Sequence, residues 1–175
     1  MNAAMPMQIR PTPRSDDAWR SLFLRLRLVG RSVVGPGRDR DARADDLAQE
    51  TIARLLRAGK TSSDFAYARK TLVRLYLDQE RSMRRRLARR MAWTAGRPKA
   101  NHDGDAMSDA EAMVAAQQAM ATLSPLQRSA FALRVIEEMR YDEIAAAMNT
   151  SAASARSSVY AARQRLSRAL EEMKL

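Results

Sequence analysis

Tyr141-Asp142-Glu143-Ile144-Ala145-Ala146-Ala147-Met148, then Asn149-Thr150-Ser151, then Ala152-Ala153-Ser154-Ala155-Arg156-Ser157-Ser158-Val159-Tyr160 is the stretch of sequence whose reading decides the fold. Ile144, Ala145 and Met148 share one face of a short helix, and a three-residue polar turn ends it. Ser151 then caps a longer helix on which Ala155, Val159, Ala162, Leu166, Ala169 and Met173 recur every three or four residues. Small residues at 145 and 155 let the two helices cross closely, which makes the pair a helix-turn-helix. Off the apolar stripe, near the start of the second helix, stand Ser154, Arg156, Ser157 and Ser158, with Tyr160, Arg163 and Gln164 farther along. Such side chains bond phosphates or base edges.

Upstream of this pair, Ser108-Asp109-Ala110-Glu111 and Ser124-Pro125-Leu126-Gln127 both have capping-box spacing and mark two more helix starts. Residues 92–107, with Gly96, Pro98, Asn101, Asp103, Gly104 and Asp105, lose the helical pattern and read as a flexible linker. His102, the single histidine, lies within it without partner residues and reads as a solvent-exposed linker residue.

Before the linker the spacing predicts three helices. The first, over about 16–34, starts at Ser15-Asp16-Asp17, carries Trp19, Leu22, Phe23, Leu26 and Val29, and stops at Gly35-Pro36-Gly37. The second, over about 43–58, carries Leu47, Ile52, Leu55 and Leu56 and closes at Gly59. The third, over about 64–91, has Phe65, Ala68, Leu72, Leu75 and Leu87 as its apolar stripe on an otherwise Arg-rich helix. The fold class is therefore all-α: two small helical domains, 16–91 and 108–175, joined by the linker and preceded by a tail at 1–15.

Charge and composition narrow the function. The 175 residues carry a formal net charge of +11, and the excess sits in the first half. Arg81, Arg84, Arg85, Arg86, Arg89, Arg90, Arg97 and Lys99 form a run without an acidic residue, dense enough to hold phosphate. Without bulky apolar partners after Leu87 the run does not fit a membrane-surface helix. Cysteine is absent, so thiolate metal sites and disulfides are excluded, and neither a Gly-rich phosphate loop nor a nucleophile-and-base pair occurs. No catalytic residue, metal site or cofactor is expected. The first residues lack a signal-peptide core and no run is apolar enough to span a bilayer, which predicts a cytoplasmic protein without membrane insertion.

Several of these stretches resemble a known family. Leu123-Ser124-Pro125-Leu126-Gln127-Arg128 through Leu133-Arg134, together with Tyr141 to Ala145 and Ser154-Ala155-Arg156-Ser157, is similar to region 4 of extracytoplasmic-function sigma factors. Asp45-Asp46-Leu47-Ala48-Gln49-Glu50-Thr51 resembles the region 2.2 motif with which such factors grip the clamp helices of RNA polymerase. Tyr67 through Asp78 resembles regions 2.3 and 2.4, with Tyr67, Lys70 and Arg74 where the family usually has Trp, Arg and Asn.

The resemblance implies an alternative sigma factor in which Asp45, Asp46, Gln49 and Glu50 bind core polymerase. It implies that Ser62, Ser63, Phe65, Tyr67, Lys70, Arg74, Asp78 and Arg81 meet the −10 element, and Ser154, Arg156, Ser157, Ser158 and Arg163 the −35 element. Phe65, Tyr67 and Tyr76 are the aromatic groups available to stack on unpaired bases. Core polymerase and promoter DNA are the implied partners, with an anti-sigma factor as a third. Two other readings fit the composition: a helix-turn-helix regulator acting without polymerase, and a basic helical RNA-binding protein.

Overall fold

The computed structural model describes residues 13–91 and 109–172, and every regular element in them is an α-helix. Three helices form the amino-terminal half: α1 (Pro13–Val34), α2 (Arg40–Arg57) and α3 (Phe65–Met91). Four form the carboxy-terminal half: α4 (Asp109–Thr122), α5 (Pro125–Val135), α6 (Tyr141–Met148) and α7 (Ala152–Glu172). The linker at 92–107, with His102, and Ser108 of the first capping box lie outside the described residues.

Leu22, Leu26, Val29 and Val33 are buried along one stripe of α1, the spacing an amphipathic helix needs. The helix begins at Pro13 rather than beyond Ser15, because proline is suited to a first helical position whose N–H has no partner to lose. Antiparallel α2 lies against it. Arg27 pairs with Asp45 at 2.6 Å and Arg31 with Asp41 at 2.8 Å. Gly30 lets the two helices approach closely: a β-carbon there would sit 3.2 Å from the Cα of Ala44.

Across this pair lies α3, burying Ala68, Leu72, Val73 and Tyr76. Tyr76 is fully buried. Burial also raises the pKa of its phenol, with Arg128 acting in the opposite sense. It is therefore a core residue and cannot stack on DNA, and it shares a stripe with Ala68 and Leu72 at four-residue intervals. Leu87 corrects the expected stripe in the other direction, being 54% exposed. Beyond Arg81 the helix projects with residues 83–89 all exposed.

In the carboxy-terminal half, Ser124 caps α5. Its hydroxyl accepts the Gln127 N–H while the Gln127 amide oxygen accepts the Ser124 N–H, both at 3.2 Å, the reciprocal arrangement expected from the sequence. Asn149 ends α6 in the left-handed region at φ 54°, a conformation asparagine tolerates better than most residues. The Ser151 hydroxyl then accepts the Ser154 N–H at 3.1 Å to start α7. Ile144, Ala145 and Met148 of α6 and Ala155, Val159 and Ala162 of α7 are buried against α5. The two halves are packed together, α1 on α5 and α3 on α5 and α6.

Candidate nucleic-acid interface

Helix α7 is held by its buried alanines and Val159, which fixes the side it presents outward. Arg156, Ser157 and Arg163 are exposed and Ser154 is half-buried near the amino end. The Arg156 guanidinium stands 5.3 Å from the centre of the Tyr141 ring, and Arg134 reaches the same ring at 5.3 Å. Arg134 is fixed in turn by a 3.0 Å bond to the Met139 carbonyl. Tyr141 thus orders two cations beside the start of α7, an arrangement that sequence spacing does not reveal. Tyr160, 65% exposed, accepts a bond from Gln164 on the same outward side.

Ser158 departs from expectation. It is only 9% exposed, because at about 100° per residue it falls about 60° from Ala155 around the helix, inside the apolar stripe. It packs with the core of the helix pair instead of facing outward.

On the amino-terminal half, the acidic positions of α2 divide into two kinds. Asp46 and Gln49 are exposed. Asp45 is committed to Arg27, with the contacting atoms of both shut off from solvent and without another partner. Glu50 accepts from Arg54 at 2.8 Å, with Arg57 at 3.8 Å, and the Arg54 hydrogen bond holds its carboxyl below the usual glutamate range.

The turn before α3 is closed by Asp64, whose carboxylate accepts the Thr61 N–H at 2.9 Å and is held low in pKa by that bond. Ser63 is exposed and Ser62 half-buried. Phe65 has the Arg25 guanidinium 3.7 Å over its ring and Arg69 at 5.5 Å, so an unpaired base would have to displace Arg25 to stack there. Tyr67 is 44% exposed with Lys60 at 5.4 Å, which leaves it the open aromatic face of this segment. Lys70 is half-buried, and Asp78 and Arg81 are exposed and paired with each other at 3.1 Å. Arg74 is turned away from any such surface: its guanidinium donates to the Ala146 carbonyl of α6 at 3.0 Å.

Comparison with known proteins agrees with this geometry. Residues 113–173 match the family described as sigma-70, region 4. The whole fold is similar to that of the sigma factor RpoE of Bartonella quintana, solved in complex with the anti-sigma factor NepR. The two share a TM-score of 0.62 and 21% identity, over 91% of this chain and 98% of that one. No curated protein matches the sequence significantly. The helix-turn-helix unit is thus a sigma-70 region 4 domain, set in a fold of the sigma-factor kind. The likeness to RpoE extends over both helical halves and is one of fold.

Proposed function

We propose that this chain is an alternative sigma factor that binds core RNA polymerase through α2 and places it on promoters, with α3 at the −10 element and α7 at the −35 element. The observation that carries the reading is the region 4 match on a helix-turn-helix whose α7 presents Arg156, Ser157 and Arg163 to solvent. A helix entering the major groove by its amino end brings such side chains to base edges and its own N–H groups toward phosphate. Asp46 and Gln49, free on α2, support the polymerase contact, and the exposed arginines of α3 support a hold on the DNA backbone. Polymerase supplies the chemistry, and the work of this chain is positioning. No described helix is long and apolar enough to cross a membrane, which supports work in the cytoplasm. An anti-sigma factor, such as the similar RpoE carries, is proposed as a regulator.

Transcription of a genomic DNA library by core polymerase, with and without the protein, tests the reading. Chain-dependent transcripts sharing a pair of upstream elements are expected. Their absence, with polymerase active under another sigma factor, would overturn it.

Within region 4, Arg156→Ala is expected to cost about 1–3 kcal/mol at the preferred upstream sequence and to relax preference at one or two positions. Tyr141→Leu should reproduce about 0.5–1 kcal/mol of that loss by freeing Arg156, while Tyr141→Phe keeps the ring and the affinity. Binding measured across a panel of upstream sequences checks this. A uniform loss with a shallower salt dependence would instead assign Arg156 to phosphate.

A further inference from the structure

Helix α3 outruns the bundle that buries its first half. Val73 and Tyr76 are fully buried. Glu80 follows at the rim, its side chain 17% exposed and paired with Arg43 of α2. Met83 and Leu87 come next on the same face and are 50% and 54% exposed. Residues 73, 76, 80, 83 and 87 alternate steps of three and four, the spacing of one strand of a coiled coil. The bundle covers that stripe as far as Glu80 and leaves Met83 and Leu87 half open to solvent.

The charges beside the open end select what can lie on it. Arg84 and Arg86 flank Met83 and Leu87 at the two positions from which coiled-coil helices exchange ion pairs. Both are exposed, and the sequence from Arg81 to Arg90 holds no acidic residue. A second copy of α3 would set these arginines against their own like, in a chain that already carries a net charge of +11, so self-pairing is disfavoured. DNA satisfies the arginines but offers the apolar pair nothing to pack on. A helix with large apolar residues in the same spacing, and glutamates beside them, complements both.

We propose that the projecting end of α3, from Arg81 to Arg89, is a docking strand for an acidic amphipathic helix of a partner protein. The partner lies along Met83 and Leu87 and pairs with Arg84 and Arg86. Arg81, Arg85 and Arg89 recur every four residues on the opposite side of the helix, so a docked partner leaves them clear for the DNA backbone. That division of labour rests on the promoter contacts proposed above, whereas the docking itself does not.

A fluorescent synthetic peptide of about three heptads, with leucine in the three-and-four spacing and glutamate on both flanks, tests this on the full-length protein without DNA. Anisotropy should report one-to-one binding. Met83→Ser combined with Leu87→Ser should weaken it about tenfold or more, whereas Arg81→Ala combined with Arg85→Ala should change it about twofold at most. Arg84→Glu combined with Arg86→Glu should abolish binding of the glutamate peptide, and a lysine counterpart should restore it. All six positions are exposed, so helical circular dichroism should not change, and the charge-swap rescue separates a lost contact from a lost fold. Equal losses from the two sides of α3 would reduce the contact to charge attraction and overturn the docking strand. So would the absence of peptide binding, or sedimentation showing that Met83 and Leu87 pair two copies of the chain. Transcription with core polymerase tests the proposed function separately, so the two can fail apart.

Discussion

Reversing both Asp46 and Glu50 to lysine is expected to abolish co-purification with core RNA polymerase while leaving the helical circular dichroism unchanged. Asp46 is exposed and makes no described ion pair, so its charge has no structural duty. Among the described residues Glu50 pairs with Arg54 and Arg57 of its own helix, and exposed pairs of this spacing contribute about 0.3–0.5 kcal/mol. Loss of the fold therefore cannot account for loss of the complex. Asp45 is left untouched because its bond to Arg27 joins α1 to α2, and reversing it would confound grip with packing. Retention of polymerase by the double variant would remove the α2 assignment.

The second large effect belongs to the core of region 4. Ile144→Ala should lower stability by about 2–5 kcal/mol, the range for removing a buried aliphatic side chain together with the cavity left behind. Ile144 is 0% exposed and contiguous with the common core of both halves, so relaxation around the gap is restricted. Urea unfolding monitored by circular dichroism checks it, with Leu24→Ala as the control, since Leu24 is 52% exposed and should change stability by no more than about 0.5 kcal/mol. Equal effects of the two substitutions would mean that α6 is not packed as described.

Helix positions were legible in the sequence because local signals set them: Ser124-Pro125 and Ser151 start helices, and apolar spacing continues them. The second helix begins at Arg40 rather than near 43, a difference confined to its first turn. Burial followed less reliably where two residue types compete. Ser158 is polar like the exposed residues beside it, but its phase on α7 puts it with Ala155 and Val159. Tyr76 has the aromatic ring that stacking on a base needs, but its spacing from Leu72 marks it as core.

The contact between the two halves was not legible at all. Arg128, Arg69 and Glu137 find partners 94, 68 and 68 residues away, and periodicity tells which face of a helix is buried without telling what covers it. The same limit applies to Tyr141, whose hold on Arg134 and Arg156 depends on the crossing of three helices.

Gln127 joins two of these local signals. Its amide oxygen, which accepts the N–H of Ser124 at the start of α5, also accepts from Arg165 of α7 at 3.2 Å. One acceptor therefore serves as the common origin from which the start of one helix and the roll of another are measured. Arg156 lies nine residues before Arg165, two and a half turns at about 3.6 residues per turn, so it faces nearly the opposite side of α7. Arg165 is itself exposed and leans on α5 at the edge of the helix contact, with Arg156 on the other side of α7. The roll of α7, set by its buried Ala155, Val159 and Ala162, is thereby also tied to the helix cap that starts α5.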